Sequence, residues 1–318
     1  MNKKLLWVQT GGTFACKKTE NGLAPATDEK FTAEIINTFT KGKAVNITPA
    51  LLMDKDSTEM DIEDIRKISS FVNENIKKYD GVIITHGTDT MAYTAALLCV
   101  MLENTPIPII LTGSQLPYYA KESDAHKNFE DSITAALCEE LKTVCVVFNG
   151  KIYHGLDCYK ADSVSFDAFS AYNEILGEIN KDKVFIKDSG RIKIGEYRYN
   201  SDINEKVALI KLTPTFDENV IDYYVEKRVS GFVIEGYGTG GIPVRVIEKL
   251  KKAKEKGIES VVITQCRHGG TNTALYEVGN NVKQAGIIDG GKLGTEGAIA
   301  KMSEICGRRW DKLQFELC

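Results

Sequence analysis

Short apolar runs and amphipathic stretches alternate along the first half of the chain. Leu5–Val8, Asn46–Leu52, Val82–Ile84, Pro108–Leu111 and Val144–Phe148 are too short for helices of ordinary length. All five read as strands, with Leu5–Val8 and Val82–Ile84 read as buried within a parallel sheet. Between them lie segments with helical spacing. Phe31–Phe39 is one. Behind an N-cap at Asp61, the residues Ile62, Ile65, Ile68, Phe71, Val72 and Ile76 form one apolar stripe. Helices through Met91–Leu102 and up to about Leu141 complete the series. Lys17–Lys30, with Asn21-Gly22 and Pro25, reads as a mobile polar loop, and residues 118–128 as a second one. Asn149-Gly150 predicts a hairpin turn, with a return strand from Ile152 toward Cys158.

The pattern changes between Lys181 and Asn204. Val184-Phe185-Ile186 and Arg191-Ile192-Lys193-Ile194 flank Asp188-Ser189-Gly190, which predicts a charged hairpin linker. The α/β rhythm then resumes, with strands at Val207–Leu212, Gly231–Glu235 and Glu259–Thr264. Helices are expected at Val220–Val229, Val244–Lys256, Leu275–Ala285 and Thr295–Ile305. The expected fold is α/β: a larger N-terminal, doubly wound parallel-sheet domain over residues 1–186, a linker over 187–206, and a smaller C-terminal α/β domain over 207–318.

Composition narrows the function classes. The chain has 318 residues, 43% hydrophobic and 26% charged, with a net charge of −4. That balance argues against nucleic acid as the main ligand. No apolar run approaches a membrane span, and the first residues lack a signal-peptide core, so a cytoplasmic location is expected. The cysteines, at 16, 99, 138, 145, 158, 266, 306 and 318, contain no C-x-x-C pair and are expected to be reduced core thiols. The four histidines, 86, 126, 154 and 268, show no ligand spacing, and no metal site is expected.

Candidate chemistry gathers where apolar runs end. Leu6-Trp7-Val8 leads to Gln9-Thr10-Gly11-Gly12-Thr13, Val82-Ile83-Ile84 to Thr85-His86-Gly87-Thr88-Asp89-Thr90, and Pro108–Leu111 to Thr112-Gly113-Ser114-Gln115. Open α/β sheets bind ligands at such carboxyl-end turns, where helix amides and loop side chains converge. The glycine turns fit neither G-x-G-x-x-G nor G-x-x-x-x-G-K-[ST], which argues against nucleotide binding. A threonine hydroxyl becomes a nucleophile only with a base or cation beside it, and Lys160 is placed to face Thr13 and Thr88. Taken one at a time, Thr13 and Thr88 read as helix caps and Lys160 as a surface charge.

Together these residues resemble the asparaginase/glutaminase family. The likeness rests on Thr10-Gly11-Gly12-Thr13, Asp56-Ser57-x-x-Met60 and His86-Gly87-Thr88-Asp89-Thr90. It extends through Thr112-Gly113-Ser114-Gln115-Leu116-Pro117, Ser123-Asp124-Ala125-x-x-Asn128, Asn149-Gly150-x-x-x-x-Gly155 and Lys160. Tyr237-Gly238-x-Gly240 and Thr264-Gln265-Cys266 resemble the bacterial cytoplasmic branch.

The resemblance implies hydrolysis of L-asparagine to aspartate and ammonia through an acyl-enzyme, without cofactor or metal. Thr13 would be the nucleophile. Thr88, polarised by Lys160 and Asp89, would attack directly or activate water. Asp89 would also bind the substrate amino group. Ser57 would hold the carboxylate, with backbone amides near Gly12 and Gly87 helping and also meeting the oxyanion. Thr58 stands where more glutaminase-active members carry Gln, so L-asparagine is the expected substrate and L-glutamine a weaker one. Assembly as a homodimer or homotetramer follows from sites that the family completes at subunit contacts, to which Glu277 is a candidate contributor. A solvent-facing charge is the other reading of Glu277.

One departure matters. Leu23 stands where the family carries a loop tyrosine, and Tyr118 or Tyr119 is a candidate to replace it from across the pocket. Cys266 reads as a buried thiol, with a regulatory asparagine site as the alternative. Two other functions compete. One is the amidase subunit of a tRNA-dependent amidotransferase, which normally has an extra N-terminal domain, whereas this chain enters its first strand by residue 5. The other is a catalytically disabled amino-acid sensor. The missing tyrosine favours it and the set Thr13, Thr88, Asp89 and Lys160 opposes it.

Overall fold

The computed structural model describes residues 2–20, 22–25, 27–273 and 277–308. The chain divides into two compact units, Met1–Ser201 and Asp202–Cys318.

The first unit starts with β1 (Lys3–Gly11), followed by a small hairpin of β2 (Cys16–Thr19) and β3 (Gly22–Pro25). Helix α1 (Glu29–Thr40), strand β4 (Val45–Lys55), helix α2 (Ile62–Asn75), strand β5 (Gly81–Thr85) and helix α3 (Met91–Met101) come next. They lead to the short β6 (Leu102–Glu103), β7 (Ile109–Thr112), α4 (Ala125–Ala136) and β8 (Val144–Phe148). The unit closes with β9 (Lys151–His154), β10 (Cys158–Lys160), β11 (Phe169–Ala171), β12 (Gly177–Asn180), β13 (Lys183–Ile186) and β14 (Arg198–Tyr199). Its eight-stranded sheet runs β13-β12-β9-β8-β7-β5-β1-β4. From β8 to β4 the neighbours are parallel, and from β8 to β13 antiparallel.

Burial explains the apolar runs. All of Leu5, Leu6, Trp7, Val8, Val82, Ile83 and Ile84 are buried, and alternate residues of a strand face opposite sides, so both faces of the sheet are covered. One face packs Leu5, Trp7, Ile83, Ile110 and Val147 against Phe31, Ile35 and Phe39 of α1 and Phe129 and Ile133 of α4. Trp7 lies edge-on to Phe129 with ring centroids 4.9 Å apart. Loss of such a ring costs about 3–5 kcal/mol. Helix α2 starts with a capping box, in which the Asp61 carboxylate accepts from the Asp64 amide and the Asp64 carboxylate accepts from the Asp61 amide.

Several elements differ from the sequence expectation. The polar stretch after β1 pairs with itself as β2–β3, with Lys17 and Lys18 in register with Ala24 and Leu23. The polar loop after Pro117 ends at Asp124, where α4 begins. Strand β13 pairs back onto β12 rather than with residues 191–194, which form no strand. A 3-10 turn at Ser189–Arg191 instead brings Arg191 to the buried Asp157, Nη1 to Oδ2 2.5 Å. Burial raises the Asp157 carboxyl above its ordinary value, and Arg191 only partly offsets it.

The second unit is an all-parallel sheet in the order β15 (Val207–Lys211), β16 (Gly231–Gly236), β17 (Glu259–Thr264), β18 (Ile288–Asp289). Helices α5 (Asn219–Glu226), α6 (Val244–Glu255), α7 (Glu277–Gln284) and α8 (Thr295–Arg308) connect and cover it. The two-residue β18 carries no periodic signal and has no counterpart among the strands expected from the sequence. Cys266 is exposed, contrary to the buried-thiol expectation, because it sits in the turn after β17. Among the described residues, no helix is long and apolar enough to cross a membrane.

Candidate functional site

Three turns at the carboxyl ends of β1, β4 and β5 close around one pocket of about 180 Å³. Its lining is Gly12, Thr13 and Cys16 from the first turn, Lys55, Asp56 and Ser57 from the second, and Gly87, Thr88 and Asp89 from the third. Two glycines make this closure possible. Gly12 has φ +80°, and a Cβ there would lie 2.4 Å from the Gly87 nitrogen. A Cβ on Gly87 would lie 2.6 Å from Ser57 Oγ. The turns touch backbone to backbone, and a side chain at either position would push them apart.

Each turn is locally pinned. After Gly12 the chain makes a 3-10 turn, Thr13–Ala15, that presents Thr13 to the pocket while Phe14 is buried in the core. Asp56 caps the 3-10 turn Ser57–Glu59, accepting from the Thr58 amide and the Thr58 hydroxyl, both at 2.8 Å. Those two bonds lower the Asp56 carboxyl below its ordinary value. They also turn the exposed Thr58 hydroxyl toward Asp56, whereas Ser57 is buried against Gly87. The Gly12 amide donates to the Lys55 carbonyl at 3.1 Å. That bond occupies one of the amides expected to meet the substrate.

The third turn carries the densest network. Lys160, at the end of β10, places Nζ 2.7 Å from Thr88 Oγ1 and 2.6 Å from Asp89 Oδ1. Thr88 is buried, the Lys160 side chain is 17% exposed, and Asp89 is 57% exposed, so the pair opens toward solvent through its carboxylate. Thr88 Oγ1 also lies 3.3 Å from Gln115 Oε1. Thr88 is therefore not a helix cap. That position belongs to Thr90, whose hydroxyl donates to the Ser57 carbonyl at 2.7 Å and ties the second turn to the third. The start of α3 points the positive end of its peptide dipoles into this region.

His86 supports the turn from behind. It is fully buried, with Nδ1 2.7 Å from the Gly87 carbonyl and Nε2 3.0 Å from Thr94 Oγ1. A carbonyl only accepts, so the proton sits on Nδ1 and Nε2 accepts from Thr94. Burial pushes the imidazole down to about 4, so it stays neutral.

The tyrosine candidates are not brought to the pocket. Tyr119 donates to Glu34 Oε2 at 2.8 Å, and burial followed by Glu34 pushes its phenol up to about 12. Tyr118 is buried among Phe14, Phe31 and His126, stacked on His126 at 4.1 Å. A phenol held protonated against a carboxylate on α1 is not a base for Thr13. The side chains of Leu23 and Glu277 lie outside the described residues. Cys16 and Lys55 line the pocket although no motif marks them as its members, and Asp56 and Gln115 enter the sequence pattern only as parts of motifs. Their position in strand-end turns is the one signal that could have found them. Cys16 donates to the Gly12 carbonyl at 3.3 Å, and burial, then Asp54 and Asp56, raise its thiol.

The pocket thus holds two threonine side chains, one of them bonded to Lys160 beside the Asp89 carboxylate, an arrangement suited to acyl transfer from a small polar substrate. Comparison with known proteins gives the same direction. Residues 4–190 match the family model described as Asparaginase, N-terminal, and residues 206–316 that described as Glutaminase/Asparaginase C-terminal domain. An L-asparaginase of Thermococcus kodakarensis is 34% identical over 311 residues, 97% of this chain and 94% of that protein. The solved thermostable L-asparaginase of T. kodakarensis superposes with a TM-score of 0.90 at 32% identity, covering 98% of this chain and 95% of that one. L-asparaginase 1 of Escherichia coli K12 is 29% identical over 98% of this chain and 94% of that protein. A glutamyl-tRNA(Gln) amidotransferase component of Pyrococcus abyssi is 32% identical over 94% of this chain and 71% of that protein.

Proposed function

Because this chain belongs to the asparaginase family, we propose that it hydrolyses L-asparagine to L-aspartate and ammonia through a threonine acyl-enzyme. It is an amidohydrolase, and the substrate and the residue roles are the proposal. The observation that carries these roles is Lys160 Nζ lying within hydrogen-bond distance of both Thr88 and Asp89, in turns that share one pocket with Thr13.

Thr13 Oγ1 adds to the side-chain amide carbon, giving a tetrahedral intermediate. The carbon–nitrogen bond then breaks, ammonia leaves with the threonine proton, and an ester to Thr13 remains. Water, activated at Thr88 by Lys160 and Asp89, opens the ester to aspartate. Ser57 receives the substrate carboxylate and Asp89 its ammonium. With the Gly12 amide engaged to Lys55, the Gly87 turn at the start of α3 is the better oxyanion donor. The Thr58 hydroxyl is engaged by Asp56, and Thr58 in place of a longer Gln supports L-glutamine as the poorer substrate. A homodimeric or homotetrameric assembly and a cytoplasmic location belong to the same proposal.

The test is ammonia release from L-asparagine and L-glutamine by purified protein without any partner, beside Thr88→Val. We expect asparagine-dependent release, weaker with glutamine, and a loss of about 10³-fold or more in Thr88→Val, the scale of losing an acid–base group. Binding of asparagine without release would favour the sensor. Release that needs a partner protein would favour the amidotransferase subunit.

A further inference from the structure

Thr88 has a third neighbour that the acyl-transfer scheme does not use. Gln115, in the turn after β7, holds its Oε1 3.3 Å from Thr88 Oγ1, while its Nε2 donates to the Ser165 carbonyl at 3.1 Å. The Ser165 carbonyl can only accept, which fixes the amide with nitrogen toward Ser165 and oxygen toward Thr88. Gln115 is itself anchored. Its backbone N–H donates to both carboxylate oxygens of Asp124, at 3.1 and 2.9 Å, and the Leu116 N–H donates to Asp124 at 3.0 Å. Asn128 holds the Asp124 carboxylate at 3.1 Å and the Gly113 carbonyl at 3.0 Å.

The donor count at Thr88 then has one solution. A charged Lys160 has only protons to give, so it donates to Thr88 Oγ1 and occupies a lone pair. The hydroxyl hydrogen of Thr88 must therefore point elsewhere, and Gln115 Oε1 is the acceptor at hand. We infer that Gln115 is a positioning residue. It holds the Thr88 hydrogen so that the oxygen lone pair stays directed at Lys160, and it joins that hydroxyl to the segment 161–168 that follows Lys160. This rests on the role given to Thr88 above. When Lys160 passes a proton to Asp89 Oδ1, 2.6 Å away, rotation about the Thr88 Cβ–Oγ bond carries the hydrogen from Gln115 to the freed lysine nitrogen. The O–H bond then breaks as an N–H bond forms, and Gln115 takes no proton.

The substitution Gln115→Met keeps length and volume and removes both bonds. Gln115→Glu keeps an acceptor for Thr88 and removes the donor to Ser165. Steady-state ammonia release from L-asparagine by the full chain is to be measured for both, with thermal denaturation to confirm folding. We expect kcat of Gln115→Met to fall about fivefold to tenfold, the scale of one neutral hydrogen bond. KM should stay within about twofold of the parent value, and Gln115→Glu should retain more kcat than Gln115→Met. A folded Gln115→Met with parental kcat, or a loss confined to KM, overturns the inference. Thr88→Val separates the two levels. An inactive Thr88→Val beside an unimpaired Gln115→Met removes Gln115 alone, whereas an active Thr88→Val removes the role of Thr88 itself.

Discussion

Both units bring polar residues to the carboxyl ends of a parallel sheet, yet they use them differently. In the first unit, Thr13, Ser57, Thr88 and Asp89 converge on an open pocket, Lys160 bonds to Thr88 and Asp89, and Asp89 remains largely exposed. In the second, the corresponding turns are knitted to their own backbone. Thr264 donates to the Gly238 carbonyl, and Gln265 Nε2 donates to the carbonyls of Leu212 and Glu235. Asp289 accepts from the hydroxyls of Thr271 and Thr273 and from the amides of Thr273 and Gly291. The same α/β rhythm thus yields one edge available to a substrate and one edge satisfied within itself. Strand-end polarity alone does not make a site. What separates the two is Lys160, delivered from a different hairpin, β10–β11, to the Thr88 hydroxyl and the Asp89 carboxylate.

The comparison can be broken most sharply at Gly12. Placing a Cβ 2.4 Å from the Gly87 nitrogen at φ +80° must separate the first and third turns. Gly12→Ala is expected to lose about 10²-fold or more in kcat/KM, the scale of a displacement near 1 Å. Parental activity in this variant would mean that the turns need not touch.

His86 offers a smaller, pH-dependent effect. Its folded-state value of about 4 lies below the ordinary 6.5, so the unfolded chain binds the extra proton between those limits. The stability it contributes is full above about pH 6.5 and is lost as pH falls toward about 4. At about 1.4 kcal/mol per pH unit, the loss is on the order of 3 kcal/mol. Urea unfolding of the parent and of His86→Gln across that range should show stability rising more steeply with pH in the parent than in the variant.

The second unit gives the smallest effect. Burial raises the Asp289 carboxyl, but the bonds from Thr271, Thr273 and Gly291 outweigh it and leave the group below its ordinary value. Asp289→Ala should destabilise that unit by about 2 kcal/mol, the scale of hydrogen bonds to a charge, and leave kcat unchanged. Faster hydrogen exchange in β17 and β18 with parental turnover is the expected pair of results. A large fall in kcat would show that the self-satisfied edge also serves catalysis.

Much of this was legible in the sequence. Buried runs such as Val82-Ile83-Ile84 and the N-cap at Asp61 have local signals, and the threonine motifs sit at strand ends where the structure brings them together. Lys160 is expected from its place after a strand to face Thr13 and Thr88, and it lies 2.7 Å from Thr88, 72 residues away. What could not be read depends on partners distant in sequence. Tyr119 is directed by Glu34, 85 residues away, so its absence from the pocket has no local signature. Arg191 abandons the expected linker hairpin for the buried Asp157. The orientation of Gln115 is set by the Ser165 carbonyl, 50 residues further on.

Thr13, which shares the pocket lining with Thr88, is proposed as the residue acylated. The most direct measurement is mass spectrometry of the protein quenched during turnover of L-asparagine, with digestion to locate the adduct. An aspartyl ester is expected on the peptide containing Thr13, accumulating further in Thr88→Val and absent in Thr13→Ala. An ester found on Thr88, or an adduct that survives Thr13→Ala, would contradict it.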